Sequence, residues 1–159
     1  MNNVISADEM INIRKILKSE NKRLVFTNGC FDIIHAGHVD YLVKARDAGD
    51  ALVVGLNSDD SISRIKGSKR PIIPENQRAF VLANLKPVDY VVIFNEDTPE
   101  ILINKLIPDV LVKGADWSIE NIIGKDTVIS NGGKVITIDF VNNQSTTDII
   151  KKILDSEKL

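Results

Sequence analysis

The sequence predicts a single α/β domain, a five-stranded, mainly parallel sheet with helices on both faces. Three observations predict it. Five stretches are apolar almost without interruption, RLVFTNG (23–29), ALVVGL at the head of 51–60, DYVVIF (89–94), DVLVKG (109–114) and KVITID (134–139), as strands buried on both faces must be. The segments between them carry helix-start and helix-stop residues, so strands and helices alternate. The chain has 159 residues, enough for one core and too few for a second large one. Residues 1–159 are therefore read as one domain, with an N-terminal helix in 1–21, a core in 22–154 and a tail in 155–159.

Each element has its own reason. Ser6 or Asp8 can cap a first helix over roughly residues 8 to 19, which shows Met10, Ile13, Ile16 and Leu17 on one face. After the first strand, GHVDYLVKARDAGD (37–50) reads as a helix ending at Gly49. The second strand runs into a polar turn where Ser58 or Asp59 can cap a helix. A basic loop, SRIKGSKRPIIP (63–74), comes next, and Pro74 introduces a helix over about Glu75 to Leu85. Thr98 and Pro99 open another helix, which must stop before Pro108. STTDIIKKIL (145–154) closes the chain as a hydroxyl-capped amphipathic helix. In such a sheet the site belongs at the C-terminal ends of the strands.

Composition removes several functional classes. Hydrophobic residues make up 43% and charged residues 26%, and no apolar run approaches the length of a bilayer span, so a membrane role is not expected. The N-terminus lacks a basic region followed by a long apolar stretch, and the single cysteine, Cys30, excludes an internal disulfide framework, which fits a reducing cytoplasm. A net charge of −2 gives no global attraction to nucleic acid. The glycines fit neither a G-x-G-x-x-G dinucleotide turn nor a P-loop.

The chemistry concentrates in TNGCFDIIHAGH (27–38), which holds both histidines of the chain, His35 and His38. Gly29 and Gly37 allow close backbone approach, and a helix N-terminus there would attract an anion. Imidazoles beside it can donate hydrogen bonds to phosphoryl oxygens, most usefully where charge develops in a transition state. Zinc is a weaker reading, because Cys30, Asp32, His35 and His38 lack the usual ligand spacing, and no protein-bound metal is expected. Asp32 can hold the turn by accepting backbone N–H bonds, and Cys30 reads as a small apolar residue rather than a nucleophile.

GCFDIIHAGH (29–38) resembles the G-x-F-D-x-x-H-x-G-H signature of the Rossmann-like nucleotidyltransferase superfamily that includes the cytidylyltransferases and pantetheine-phosphate adenylyltransferase. The resemblance continues through VGLNSDDS (54–61), RIKGSKRPIIPENQRAFVLANLKPVDYVVIF (64–94), EDTPEILINKLIPDVLVKGADW (96–117) and STTDIIKKI (145–153), covering about residues 22 to 154. Within the superfamily it is most similar to the adenylyltransferase domain of the ADP-heptose synthases, which join ATP to D-glycero-β-D-manno-heptose 1-phosphate and release pyrophosphate. That resemblance implies a stand-alone form with a separate heptose kinase upstream; Mg²⁺ is expected with the triphosphate of ATP, and a homo-oligomer is a partner state that the sequence leaves open. It assigns His35 and His38 to the triphosphate and Asn28, Gly29, Phe31 and Gly37 to the nucleotide turn. Lys113, Gly114 and Asp116 of KGADW (113–117) fall where the family holds base and ribose, and Ser145, Thr146 and Thr147 where it holds the β- and γ-phosphates. Lys66 and Arg78 join the histidines as catalytic candidates, and Lys69 and Arg70 are candidates for the substrate phosphate.

The residues themselves are consistent with that chemistry. A sugar phosphate, with a second pKa of about 6, is largely a dianion at neutral pH and needs no general base. Bringing two polyanions together instead needs local cations, which the 63–78 segment supplies. Each candidate also has a purely structural reading: Arg78 can pair with Glu75 one turn away, the S-T-T stretch can be a helix cap, and Trp117 can be packing. Two departures from the family pattern, Asn143 before the S-T-T and Ala115 within KGADW, fall near the expected base pocket. A cytidylyltransferase acting on glycerol 3-phosphate or a related polyol phosphate, and a non-catalytic nucleotide-binding module, are the competing readings.

Overall fold

A computed structural model describes residues 3–139 and 146–156. Five strands, β1 (Leu24–Gly29), β2 (Ala51–Asn57), β3 (Tyr90–Phe94), β4 (Val110–Gly114) and β5 (Lys134–Ile138), form one sheet in the order β3-β2-β1-β4-β5. Every pairing is parallel, where the sequence predicted only a mainly parallel sheet. The apolar runs explain this, because successive side chains alternate between two covered faces. Leu24 and Phe26 of β1, Val53 of β2 and Leu111 of β4 pack with Met10 and Leu17 of α1 (Ala7–Ser19), Leu102, Ile103 and Leu106 of α5 (Glu100–Leu106) and Val128 of α6 (Lys125–Ser130). Val25, Leu52, Val54 and Val112 face the opposite way. They pack on Leu42 and Ala45 of α2 (Ala36–Arg46) and Leu82 of α4 (Glu75–Ala83).

The local signals behave as their chemistry requires. Ser6 caps α1 in a reciprocal box with Glu9, and Ser58 caps α3 (Asp59–Lys66) by accepting from the Ser61 N–H. Carboxylates at the strand entrances satisfy the first strand N–H groups: Asp109 accepts from Leu24 and Asp89 from Leu52, each at 2.7 Å, and Asp109 is held in turn by Arg14. At the sheet's β3 edge, residues 3–5 run alongside, with Val4 bridged to Val91 and the Val91 N–H donating to the Asn3 carbonyl.

Three expectations are corrected. The basic segment 63–74 is not all loop, since α3 continues to Lys66 before Gly67 turns the chain at φ +93°. Helix α2 ends at Arg46, and Gly49 serves close packing: a Cβ there would lie 2.6 Å from Val25 and 2.9 Å from the Arg23 carbonyl oxygen. A 3₁₀ turn at Ile119–Asn121 and the six-residue α6 fill a stretch for which no element was expected. Helix α7 spans Thr146–Ser156, and Asn143 and Ser145, both singled out in the sequence, lie outside the described residues.

Candidate active site

The chain leaves β1 in one direction towards β2 and β3 and returns on the other side as β4 and β5, so β1 and β4 flank the topological switch point. A cavity of about 420 Å³ opens there, over the C-terminal ends of the strands.

The histidine turn forms its floor. Phe31 takes a left-handed conformation, φ +44°, which turns its ring back over Gly29, where a Cβ would stand only 3.0 Å from it. His35 occupies the N-cap position of α2 but makes no side-chain capping bond; its carbonyl accepts the His38 N–H at 2.9 Å. The His35 side chain therefore does not cap the helix, and both imidazoles are left for other work. The two imidazoles are in tilted contact with centroids 4.0 Å apart and planes 30° apart, and Phe31 sits 5.3 Å from His38. Both Nδ1 atoms are buried without a hydrogen-bond partner among the described residues. Burial, followed by the neighbouring His35 and Lys66, pushes the His38 pKa down to about 4, and burial alone lowers His35. At neutral pH the pair is uncharged in the free protein. His38 lines the cavity, whereas His35, in ring contact with it, is not on the wall.

The cations divide into two kinds. Lys66, exposed at the end of α3, and Arg70 lie on the cavity wall, whereas Lys69 is exposed and lies off it. Arg78 is not on the wall either. Its side chain is wholly buried, donating Nε to the Ile73 carbonyl, Nη1 to the carbonyls of Cys30 and Asn57, and Nη2 to Asp59, at 2.6–2.9 Å. Glu75, its expected partner, accepts instead from the Asp59 N–H. Arg78 thus joins the histidine turn, the end of β2, the start of α3 and the 70–73 loop from beneath. Asp32, expected to hold its own turn, instead holds one 40 residues away: its carboxylate accepts from the Ile72 and Ile73 N–H groups and from Arg70 Nε. Burial would raise its pKa, but the two backbone bonds and Arg70 outweigh this and hold it below the usual carboxylate value.

Opposite, the end of β4 brings Lys113 within 3.0 Å of Asn28 Oδ1 and 5.2 Å from the ring centroid of Trp117, which is 46% exposed on the wall rather than packed in the core. Burial lowers the Lys113 pKa, while Asp116 and Cys30 oppose the shift. Gly114 and Asp116 also face the cavity, and the Ala115 N–H donates to the Ile138 carbonyl, so the alanine continues the sheet. Thr146 lies on the rim with its hydroxyl 3.4 Å from the Ile33 carbonyl. Thr147 is exposed off the wall, and Gly37 is buried in the first turn of α2. Cys30, read from the sequence as a small apolar residue, is half-buried on the wall.

Among the lining residues that sequence reasoning missed are Asn57, Asp97, Thr98 and Ile123. Asn57 ends β2, and Asp97 and Thr98 follow β3, so the strand-end rule already pointed at three of them. Ile123 lies in the segment where no element was expected. The described residues contain no group of three His, Cys, Asp or Glu side chains able to hold a metal. They also contain no helix long and apolar enough to cross a membrane.

Known proteins resemble this chain in sequence and in fold. Curated relatives named bifunctional protein HldE include that of Syntrophotalea carbinolica, 57% identical over 90% of this chain, and that of Geotalea uraniireducens, 58% identical over 92%. The chain spans 30% of the length of each. Among solved structures, a lipopolysaccharide core biosynthesis protein from Thermoplasma volcanium is 28% identical, with a TM-score of 0.62 over 77% of this chain and 99% of that one. The pantoate-β-alanine ligase of Francisella tularensis, 15% identical, shares the fold with a TM-score of 0.64 over 98% of this chain and 78% of its own. The cytidylyltransferase-like family model matches residues 26–152, from β1 to within α7, and the chain belongs to that family.

Proposed function

We propose that the chain transfers the adenylyl group of ATP to D-glycero-β-D-manno-heptose 1-phosphate, giving ADP-heptose and pyrophosphate. One observation carries the transfer chemistry: the neutral His38 imidazole, its Nδ1 unpartnered and its ring against that of His35, at a cavity that also presents Lys66 and Arg70. The identity with proteins named HldE, and the likeness to a lipopolysaccharide core biosynthesis protein, support a heptose acceptor.

The substrate is MgATP. The cavity's donor set, His38, Lys66, Arg70 and Lys113, suits a triphosphate whose oxygens carry the metal, rather than a metal held by protein carboxylates. A phosphate oxygen of the sugar dianion attacks the α-phosphorus in line, and the bond from that phosphorus to the bridging oxygen of the β-phosphate breaks. The chain supplies no base for this step, because the nucleophile arrives ionised. Its work is positioning and charge stabilisation, with His38 donating towards the equatorial oxygens and Lys66 and Arg70 drawing the two anions together. Cytoplasmic residence, an upstream sugar kinase supplying the 1-phosphate, and self-association belong to the same proposal.

Pyrophosphate release measured with ATP, CTP, GTP and UTP separately, each with Mg²⁺ and the heptose 1-phosphate, tests it. Turnover selective for ATP, with ADP-heptose identified by mass, is the expected result. Turnover selective for CTP would overturn the base assignment, and silence with all four would overturn the reaction.

A further inference from the structure

The arginine on the cavity wall is aimed by a residue of the histidine turn. Arg70 donates Nε to Asp32 at 2.7 Å, its side chain is 17% exposed, and its two terminal nitrogens have no hydrogen-bond partner among the described residues. A guanidinium fixed at Nε presents its remaining fork in one plane, the geometry that grips a phosphate through two parallel bonds. Asp32 is itself immovable: its side chain is 2% exposed and the Ile72 and Ile73 N–H groups hold both carboxylate oxygens. Arg78 fixes the same two segments from below through the carbonyls of Cys30 and Ile73.

We propose that Asp32 is a positioning residue for the acceptor, holding the Arg70 fork where it receives the phosphate of the sugar 1-phosphate; this rests on the transfer reaction proposed above. A carboxylate beside a phosphate site also repels the anion, so two effects of opposite sign compete. Asp32 is already neutralised by Arg70 and by two backbone donors, which leaves little repulsion to relieve. Displacing a gripping group by about 1 Å costs on the order of 10²-fold in rate. Positioning therefore wins.

The test is a double-mutant cycle on the full chain with Asp32→Asn, Arg70→Ala and the pair. Asp32→Asn keeps an acceptor for the backbone bonds and removes the charge that orients Arg70. Three quantities are read in all four proteins: kcat/KM for the heptose 1-phosphate, the Kd of ATP, and the Kd of inorganic phosphate by calorimetry. Asp32→Asn is expected to lower kcat/KM at least tenfold and weaken phosphate comparably, to leave the ATP Kd within twofold, and to add less than twofold once Arg70 is alanine. A multiplicative double mutant, an equal loss of ATP affinity, or tighter phosphate binding in Asp32→Asn would each overturn the assignment. If the wild-type chain shows no turnover, the reaction proposed above has failed, and the phosphate cycle alone decides the role of Asp32. If Asp32→Asn does not fold, Arg70→Lys decides: it keeps the charge, removes the fork, and must weaken phosphate as much as Arg70→Ala does.

Discussion

The half-buried His38 makes the stability of this chain depend on pH in a window where few other groups titrate. His38 has its pKa pushed down to about 4 in the folded chain, mainly by burial, against 6.5 when unfolded. Between those two values the unfolded chain binds more protons than the folded one, so acidification favours unfolding. The contribution of His38 is therefore fully present above pH 6.5 and is lost as pH falls towards 4. Between pH 7.5 and pH 5 the linkage integral for such a shift is about 2 kcal/mol, and solvent reaching this half-buried ring reduces it to about 1 kcal/mol. Urea unfolding of the wild type and of His38→Gln at pH 7.5, 6.5, 5.5 and 5 measures it. The wild type should lose about 1 kcal/mol more than the variant over that range, a midpoint difference of about 0.5 M urea. Asp32 and Glu9 also have lowered pKa values, but they titrate below this window and do so in both proteins. Parallel stability curves for the two proteins would refute the claim that His38 is held neutral by its surroundings.

Other substitutions separate catalysis from architecture. Lys66→Ala should lower kcat/KM by about 10²-fold with an unchanged melting temperature, because Lys66 is exposed and lies at the cavity; near-normal turnover would remove it from the mechanism. Arg78→Met should destabilise by about 3 kcal/mol in chemical denaturation, since it strands three backbone carbonyls and Asp59, and a loss under 1 kcal/mol would contradict the clamp described above. Gly55→Ala should cost about 1–2 kcal/mol, because its Cβ would stand 2.8 Å from the tip of the fully buried Phe26 ring, with an unchanged or higher midpoint as the disproof.

The strands were legible because burial on both faces removes polar residues from them, and the observed boundaries lie within one or two residues of the expected ones where a strand run was delimited. Helix starts with a hydroxyl cap, at Ser6 and Ser58, were legible for the same local reason. Helix α6 was not: it has six residues, too few for a periodic stripe, and it begins at left-handed Gly124 with no side-chain cap. In the site, the clustering of His35, His38, Lys66 and Arg70 around the strand ends followed from the chain pattern and the family resemblance. What could not be read was which cation faces solvent and which faces oxygen. Arg78 looks as available as Lys66 in the sequence, yet its acceptors come from residues 30, 57, 59 and 73, brought together only by the sheet order. Asp32 shows the same limit, since its partners lie 38 to 41 positions away.

The segment laid along β3 matters beyond its few contacts. A parallel sheet that ends in a bare strand offers a row of unpaired donors and acceptors to any extended chain that drifts past. Here the Asn3 carbonyl and the Ile5 N–H occupy that row at Val91, so residues 3–5 work as an edge guard. Trimming the chain back past Ile5, or pulling this segment away with a stiff fusion, would leave the active-site end of the fold untouched while uncovering a strand able to recruit copies of itself. Loss of solubility without loss of specific activity in the remaining soluble fraction is the signature such a truncation would leave.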